Sequence, residues 1–396
     1  MLARRGGRRN RLCTGVVLAL VVMVTVVTTP VASASYYSST NSSADFSAAG
    51  CFHRANVQKG TATSTAEGTT SVSIGAVDPT KAFLVFTSRH SSNRPVGSEI
   101  GGRLASATAI EFIRVSDESA PVTMTIEWSV IEYPCGVNVQ RGSVFQNATA
   151  IDWPITPVAS VAQAFVLWSK TTDRTDVIYS DNDPVLGELT TVSNLQFRVN
   201  GAAASHVIYW QVVEFTDPTT IAVQHGSTSL VGTATSTAVA LASPTAPARS
   251  FVLVGGRSTP VGNDVGSGLV RATLAGPSSL TLDRGATNYD ITEIGWQVIE
   301  LRDGSSVQSG SASFPTGVGA VVASIAAVPL ARSTAFASGQ TGGGENGGRT
   351  TYVGDDIVGV AAAGMRLTTP TQLTLTRDNT AGDADIAWSV VSWGWP

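Results

Sequence analysis

Trp128-Ser-Val-Ile-Glu132 recurs three times along the chain, as Trp210-Gln-Val-Val-Glu214, Trp296-Gln-Val-Ile-Glu300 and Trp388-Ser-Val-Val-Ser392. Each copy closes a stretch that opens on Val-Gln-x-Gly: Val57-Gln-Lys-Gly60, Val139-Gln-Arg-Gly142, Val223-Gln-His-Gly226 and Val307-Gln-Ser-Gly310. The openings lie 82, 84 and 84 residues apart, a four-fold internal repeat. Working outward from Trp128, the residues Val122, Met124, Ile126, Trp128 and Val130 share one face at period two. Beyond Trp128 the other face turns apolar as well, through Ile131 and Tyr133, which places this strand inside a sheet covered on both sides.

Five further extended runs precede it in the first unit: Val57-Gln58, Ser71–Ile74, Phe83–Phe86, Ile100–Leu104 and Ile110–Arg114. The third run returns as Phe165–Trp168 and Phe251–Val254, and the fifth as Leu195–Arg198, Leu280–Arg284 and Leu373–Arg377. Gly and Pro punctuate the connections and no stretch holds a 3.6-residue period. The expected fold is all-β: four tandem antiparallel six-stranded β-sandwich repeats, over 56–135, 136–216, 217–302 and 303–396. Links as short as Thr216–Thr220 and Arg302–Ser306 imply fixed packing between neighbours.

Ahead of the repeats, residues 1–34 read as a signal peptide. Arg4, Arg5, Arg8, Arg9 and Arg11 precede an apolar run, Gly15–Val27, and Ala32-Ser33-Ala34 offers a cleavage site. That run is short of the ~20 residues a spanning helix needs, so no membrane span is expected in the mature chain. Residues 35–55 read as a flexible leader. A secreted, extracellular or cell-surface protein follows. Removal of Cys13 with the signal leaves Cys51 and Cys135, an even pair that reads as a disulfide joining the two ends of the first unit.

Chemistry-bearing groups are sparse. Charged residues are 14% of the chain with a net charge of −4, and no basic stripe follows the first eleven residues, so nucleic acid is not an expected partner. The four histidines fall at non-equivalent positions with no triad or zinc spacing, so no enzyme, no cofactor and no metal is expected. Asp173, Asp176, Asp181 and Asp183 form an acidic loop that reads as solvated, with Ca²⁺ as the alternative. Glu132, Glu214 and Glu300 are expected to pair with Arg114, Arg198 and Arg284. The loop Arg284-Gly-Ala-Thr-Asn288-Tyr289-Asp290 combines a guanidinium, an amide, a ring and a carboxylate, groups that suit a sugar's hydroxyls and apolar face.

Val-Gln-x-Gly, a central Phe83-Leu-Val strand and a closing Ile126-x-Trp128-x-x-Ile131-Glu132 strand together resemble the H-type lectin domain, over nearly the whole of each unit. The resemblance implies a six-stranded antiparallel sandwich, binding of N-acetylgalactosamine-type sugars and assembly with other copies. The family's sugar site draws on an aromatic and polar residues just before the last strand, and only the third unit has a ring there, Tyr289. A non-enzymatic carbohydrate-binding or adhesion protein is therefore one expectation, with glycans or a cell-surface polysaccharide as partner, self-association open, and Arg284, Asn288, Tyr289 and Asp290 as site residues. A structural surface or fibre protein of stacked repeats is the other.

Overall fold

The computed structural model describes residues 54–92, 94–115, 122–201, 206–259, 264–341 and 358–394. The signal and leader lie outside these residues, except for Arg54 and Ala55. So does Cys51, and with it the expected Cys51–Cys135 pairing. The chain is all-β. Its first six strands are β1 (Asn56–Ser64), β2 (Gly68–Ser73), β3 (Ala82–Arg89), β4 (Gly101–Ser106), β5 (Ala109–Arg114) and β6 (Met124–Glu132), with a one-turn helix α1 (Pro95–Ser98) before β4. Next come β7 (Val137–Gln146), β8 (Ala150–Pro154), β9 (Ala164–Thr171), β10 (Leu186–Thr191), β11 (Asn194–Arg198) and β12 (His206–Phe215). The third set is β13 (Ile221–Leu230), β14 (Ser236–Ala240), β15 (Ser250–Ser258), β16 (Val270–Gly276), β17 (Ser279–Arg284) and β18 (Ile291–Leu301). The last is β19 (Ser306–Phe314), β20 (Ala320–Ser324), β21 (Ser333–Thr341), β22 (Ala363–Thr369), β23 (Gln372–Arg377) and β24 (Ala384–Ser392).

These strands form eight three-stranded antiparallel sheets in one recurring pattern. In the first set the orders are β1-β6-β3 and β2-β5-β4, so the first and last strands are neighbours and the Trp-bearing strand is central. The repeated motif explains itself in that geometry. Gly60, Gly142, Gly226 and Gly310 each stand directly opposite Trp128, Trp210, Trp296 or Trp388. A Cβ on any of these glycines would meet the indole at 2.3 to 2.7 Å, so only glycine lets the ring lie flat on the neighbouring strand. The motif's Gln holds the turn after the second strand with two hydrogen bonds in every set. Gln58 does so on Gly75, Gln140 on Thr156, Gln224 on Ser243 and Gln308 on Ala326. Each tryptophan is buried with its indole Nε1 unpartnered, so the ring is retained for its packing rather than for a hydrogen bond.

Two kinds of apolar core follow from the two faces of the central strand. Met124, Ile126, Trp128 and Val130 join Ile110 and Phe112 of the other sheet in a core local to the first set, and the other sets repeat this. Ile131 and Tyr133 point the other way. They belong to one cluster fed by all four sets, including the motif valines Val57, Val139, Val223 and Val307. Phe83, Phe165, Phe251 and Phe336 touch in chain order, and Trp393 of the last set packs on both Phe336 and Phe83, closing the circle. This shared cluster is the physical reason for the two-sided apolarity of the closing strands.

Polar contacts run in the same circle. Arg141 of the second set donates to the Ala82 carbonyl of the first, and His225 of the third donates to the Ala164 carbonyl of the second. Lys59 of the first set donates to the Ser333 carbonyl of the fourth at 3.1 Å, from the same motif position to the same strand position. The fourth set therefore meets the first as the others meet their neighbours. Gln211 and Gln297 cap the outer edges of β3 and β9, each bonding both backbone groups of Leu84 or Val166 at 2.8 to 3.0 Å. That satisfies an edge strand that would otherwise stay open.

Two expectations are corrected. The Glu132, Glu214 and Glu300 carboxylates do not meet Arg114, Arg198 and Arg284. Glu132 and Glu214 accept from the Asp78 and Ala159 amides, and Glu300 pairs with Arg249 and Arg302. Arg114 reaches the Val122 carbonyl, ten residues before Glu132, and ten strand residues span roughly 30 Å. The acidic loop is solvated only in part: Asp173, Asp176 and Asp181 are half-exposed, while Asp183 is packed. Asp183 is 1% exposed, and the Asp176 carbonyl accepts from the Val96 amide of the first set. Beside them Lys170 pairs with Glu99 across the same boundary at 3.1 Å. Among the described residues no group of three or more His, Cys, Asp or Glu is placed to hold a metal ion.

Candidate functional site

Arg284 ends β17 on the same inward face as Leu280 and Leu282, and it is 2% exposed. Its guanidinium donates to the carbonyls of Ala234 (2.8 Å), Gly232 (2.6 Å) and Tyr289. Arg114 and Arg377 do the same at their own strand ends, on Ser64, Val122 and Gly97 and on Val318, Val360 and Pro315. Arg114 and Arg284 thus tie the loop before the closing strand to the end of the first strand or the turn after it, whereas Arg377 ties that turn to the segment before β22. Arg198 is not part of this series, because it lies one residue earlier and on the opposite face. It pairs instead with Glu188 and with Glu293 of the third set.

Arg284 therefore positions the loop and is not exposed on it. Asn288 and Asp290 are exposed and Tyr289 is half-buried, so these three carry the surface chemistry. Asp290 Oδ1 accepts from the Gly232 amide at 2.7 Å, which leaves its other oxygen for a further donor. The Tyr289 amide lies 3.4 Å from the Ser267 hydroxyl. Beneath them burial pushes the Asp264 carboxyl up, and the neighbouring Ser267 and Asn288 side chains pull it back in part. The equivalent stretch of the first unit, residues 116–121, lies outside the described residues.

Behind the loop, β17 opens on a cleft of about 220 Å³ shared with the fourth set. Asp283, Arg284 and Gly285 line one side and Gln340, Thr341 and Asp383 the other. Arg271 braces it, 2.9 Å from Asp283 and 3.5 Å from Asp385. The fourth set's contribution was not legible from single units taken separately. Its only sequence signal is the polar Asp383-Ala-Asp385 just ahead of the closing strand.

No family model matches the chain, and no curated protein matches it either.

Proposed function

We propose that the chain is an exported, non-enzymatic carbohydrate-binding or adhesion protein resembling tandem H-type lectin domains. Each group of six strands forms one β-sandwich repeat, over 56–135, 136–216, 217–302 and 303–396, and the signal at 1–34 is removed. The observation that carries the reading is the loop of exposed Asn288 and Asp290 flanking half-buried Tyr289, beside a polar cleft. A ring with an apolar face, an amide and a carboxylate with one spare oxygen are held in place from below by a buried arginine. Such a platform suits a pyranose, whose C–H face lies on the ring while its hydroxyls meet the polar groups. Glycans or a cell-surface polysaccharide are the partners this implies. Among the described residues no helix is long and apolar enough to cross a membrane.

A fibre built by stacking repeats is less well supported. The surfaces that would continue such a stack are already used between the first and fourth sets, and a head-to-tail interface that closes leaves no free end.

Tyr289→Ala is the direct test of the loop. Losing one anchor typically costs about 1–3 kcal/mol, or roughly tenfold to a hundredfold in affinity. The variant is expected to weaken binding of any glycan the parent takes up by that factor and to melt at the parent's temperature. Unchanged affinity would leave the loop a turn and nothing more.

A further inference from the structure

Three of the four boundaries between consecutive sets carry the same small device. The hydroxyls of Ser169, Ser338 and Thr87 accept from the backbone amides of Gly102, Ala272 and Met365, at 2.9, 2.9 and 3.0 Å. All three occupy one ladder position, opposite Tyr209, Ala387 and Glu127. In the third set that position is Gly255, opposite Gly295. The boundary between the second and third sets therefore has no such hydroxyl. The Trp168 indole lies there instead, since a Cβ on Gly255 would meet its Cζ2 at 2.5 Å.

Gly295 departs from its counterparts in the same place. At the first boundary Tyr209 covers Gly101 and lies under Arg103, whose guanidinium is 5.9 Å from the ring centre. At the second boundary the closing strand has only Gly295 at the position of Tyr209, and Glu188 stands where Arg103 does. A Cβ on Gly295 would meet Glu188 Oε1 at 2.9 Å. Here the surface opens into a cleft of about 260 Å³. Trp168, Glu188 and Thr190 of the second set form one wall, and His225, Ser227 and Gln297 of the third form the other.

The polar groups of this cleft are sorted by what already holds them. The Gln297 amide is taken up by Val166, and His225 Nε2 donates to the Val161 and Ala164 carbonyls at 2.9 and 3.1 Å. The imidazole thereby keeps Nδ1 as an acceptor. Arg198 fixes one oxygen of Glu188. Ser227 and Thr190 are exposed at the mouth. An aromatic wall, a fixed carboxylate, a neutral acceptor and a hydroxyl are what a small uncharged ring with several hydroxyls needs. Its size lies just under the roughly 300–1,000 Å³ of drug-sized sites, which limits it to one ring. We propose that this cleft is a second carbohydrate site, separate from the loop at Asn288–Asp290, that takes a single terminal pyranose against Trp168. It rests on the carbohydrate-binding reading above.

The test uses the intact secreted protein with ¹⁵N-labelled tryptophan, titrated separately with free glucose, galactose, mannose, fucose and N-acetylglucosamine. The Trp168 indole signal is assigned by its absence in Trp168→Phe. At least one of these sugars is expected to shift that signal saturably. Ser227→Phe, which fills the mouth, and Glu188→Gln, which keeps the shape and removes the charge, are each expected to weaken the effect at least tenfold. Tyr289→Ala is expected to leave it unchanged. A Trp168 signal that no sugar moves, or a shift that survives both Ser227→Phe and Glu188→Gln, overturns the cleft. A glycan that binds the parent, is lost in Tyr289→Ala and never moves Trp168 overturns the cleft alone. Glycan binding by neither site overturns both readings.

Discussion

Replacing Trp393 with alanine is expected to lower stability by about 3–5 kcal/mol and to do so in one transition for the whole repeat region. Trp393 is 0% exposed and packs on Phe83 and Tyr133 of the first set, Phe251 of the third and Phe336 of the fourth, at ring distances of 5.6 to 6.3 Å. Its removal opens a void in the one core that all four sets share, so the loss is not confined to the last repeat. Urea unfolding followed by tryptophan fluorescence and by far-ultraviolet circular dichroism reads this directly. Coincident curves, both moved to lower urea, are expected. A variant that unfolds in two separated steps, with most of the β-signal keeping the parent midpoint, would show that the sets are independent.

Acid is expected to destabilise the fold well before the carboxylates titrate. His90 and His206 are buried, and burial holds both down to about 3, with the charges of Arg114 and Lys170 adding to the effect. His206 is also faced by the Asn182 carbonyl and by Asp173, which oppose the shift without reversing it. Above the ordinary histidine value of 6.5 neither the folded nor the unfolded chain carries these protons. Between 6.5 and 3 only the unfolded chain binds them, so stability falls as pH falls through that window. At pH 5 the shortfall is about 1.5 pH units for each histidine, or about 2 kcal/mol each. Asp183 works the other way, because burial raises its carboxyl and its protonated form belongs to the folded state. The informative quantity is therefore the change in slope. Unfolding midpoints at pH 7 and pH 5 should lie closer together in His90→Asn/His206→Gln than in the parent. Equal spacing in the two proteins would remove the histidines from the account.

The sequence carried much of this architecture in short words. Val-Gln-x-Gly and Trp-x-Val-x-Glu recur so plainly because their glycine and tryptophan constrain each other across a single ladder pair and the glutamine holds one turn. The apolar turn of the strand face at Ile131 and Tyr133 was visible too, but its partners were not. They come from three other sets, at separations that no local period records. The arginine series misled for a different reason. Arg198 sits one residue out of register with Arg114, Arg284 and Arg377, and in a strand one residue is the difference between inward and outward. Arg284 reads as a surface guanidinium beside Tyr289, but its burial and its carbonyl partners across the first-strand turn depend on a contact 52 residues back along the chain, at Gly232. The acidic loop was legible in part. Four aspartates in eleven residues read as solvent-facing, but Asp183 is buried and the Asp176 backbone meets Val96 of the first set, neither of which the loop's composition records.

A glycan-array screen of the purified, monodisperse protein beside its Tyr289→Ala variant tests carbohydrate binding most directly. The parent is expected to retain a defined set of glycans and the variant to retain them at least about tenfold more weakly, with both proteins equally stable. An array on which the parent holds no glycan, together with filaments in the purified sample, would contradict the reading and leave the structural role in its place.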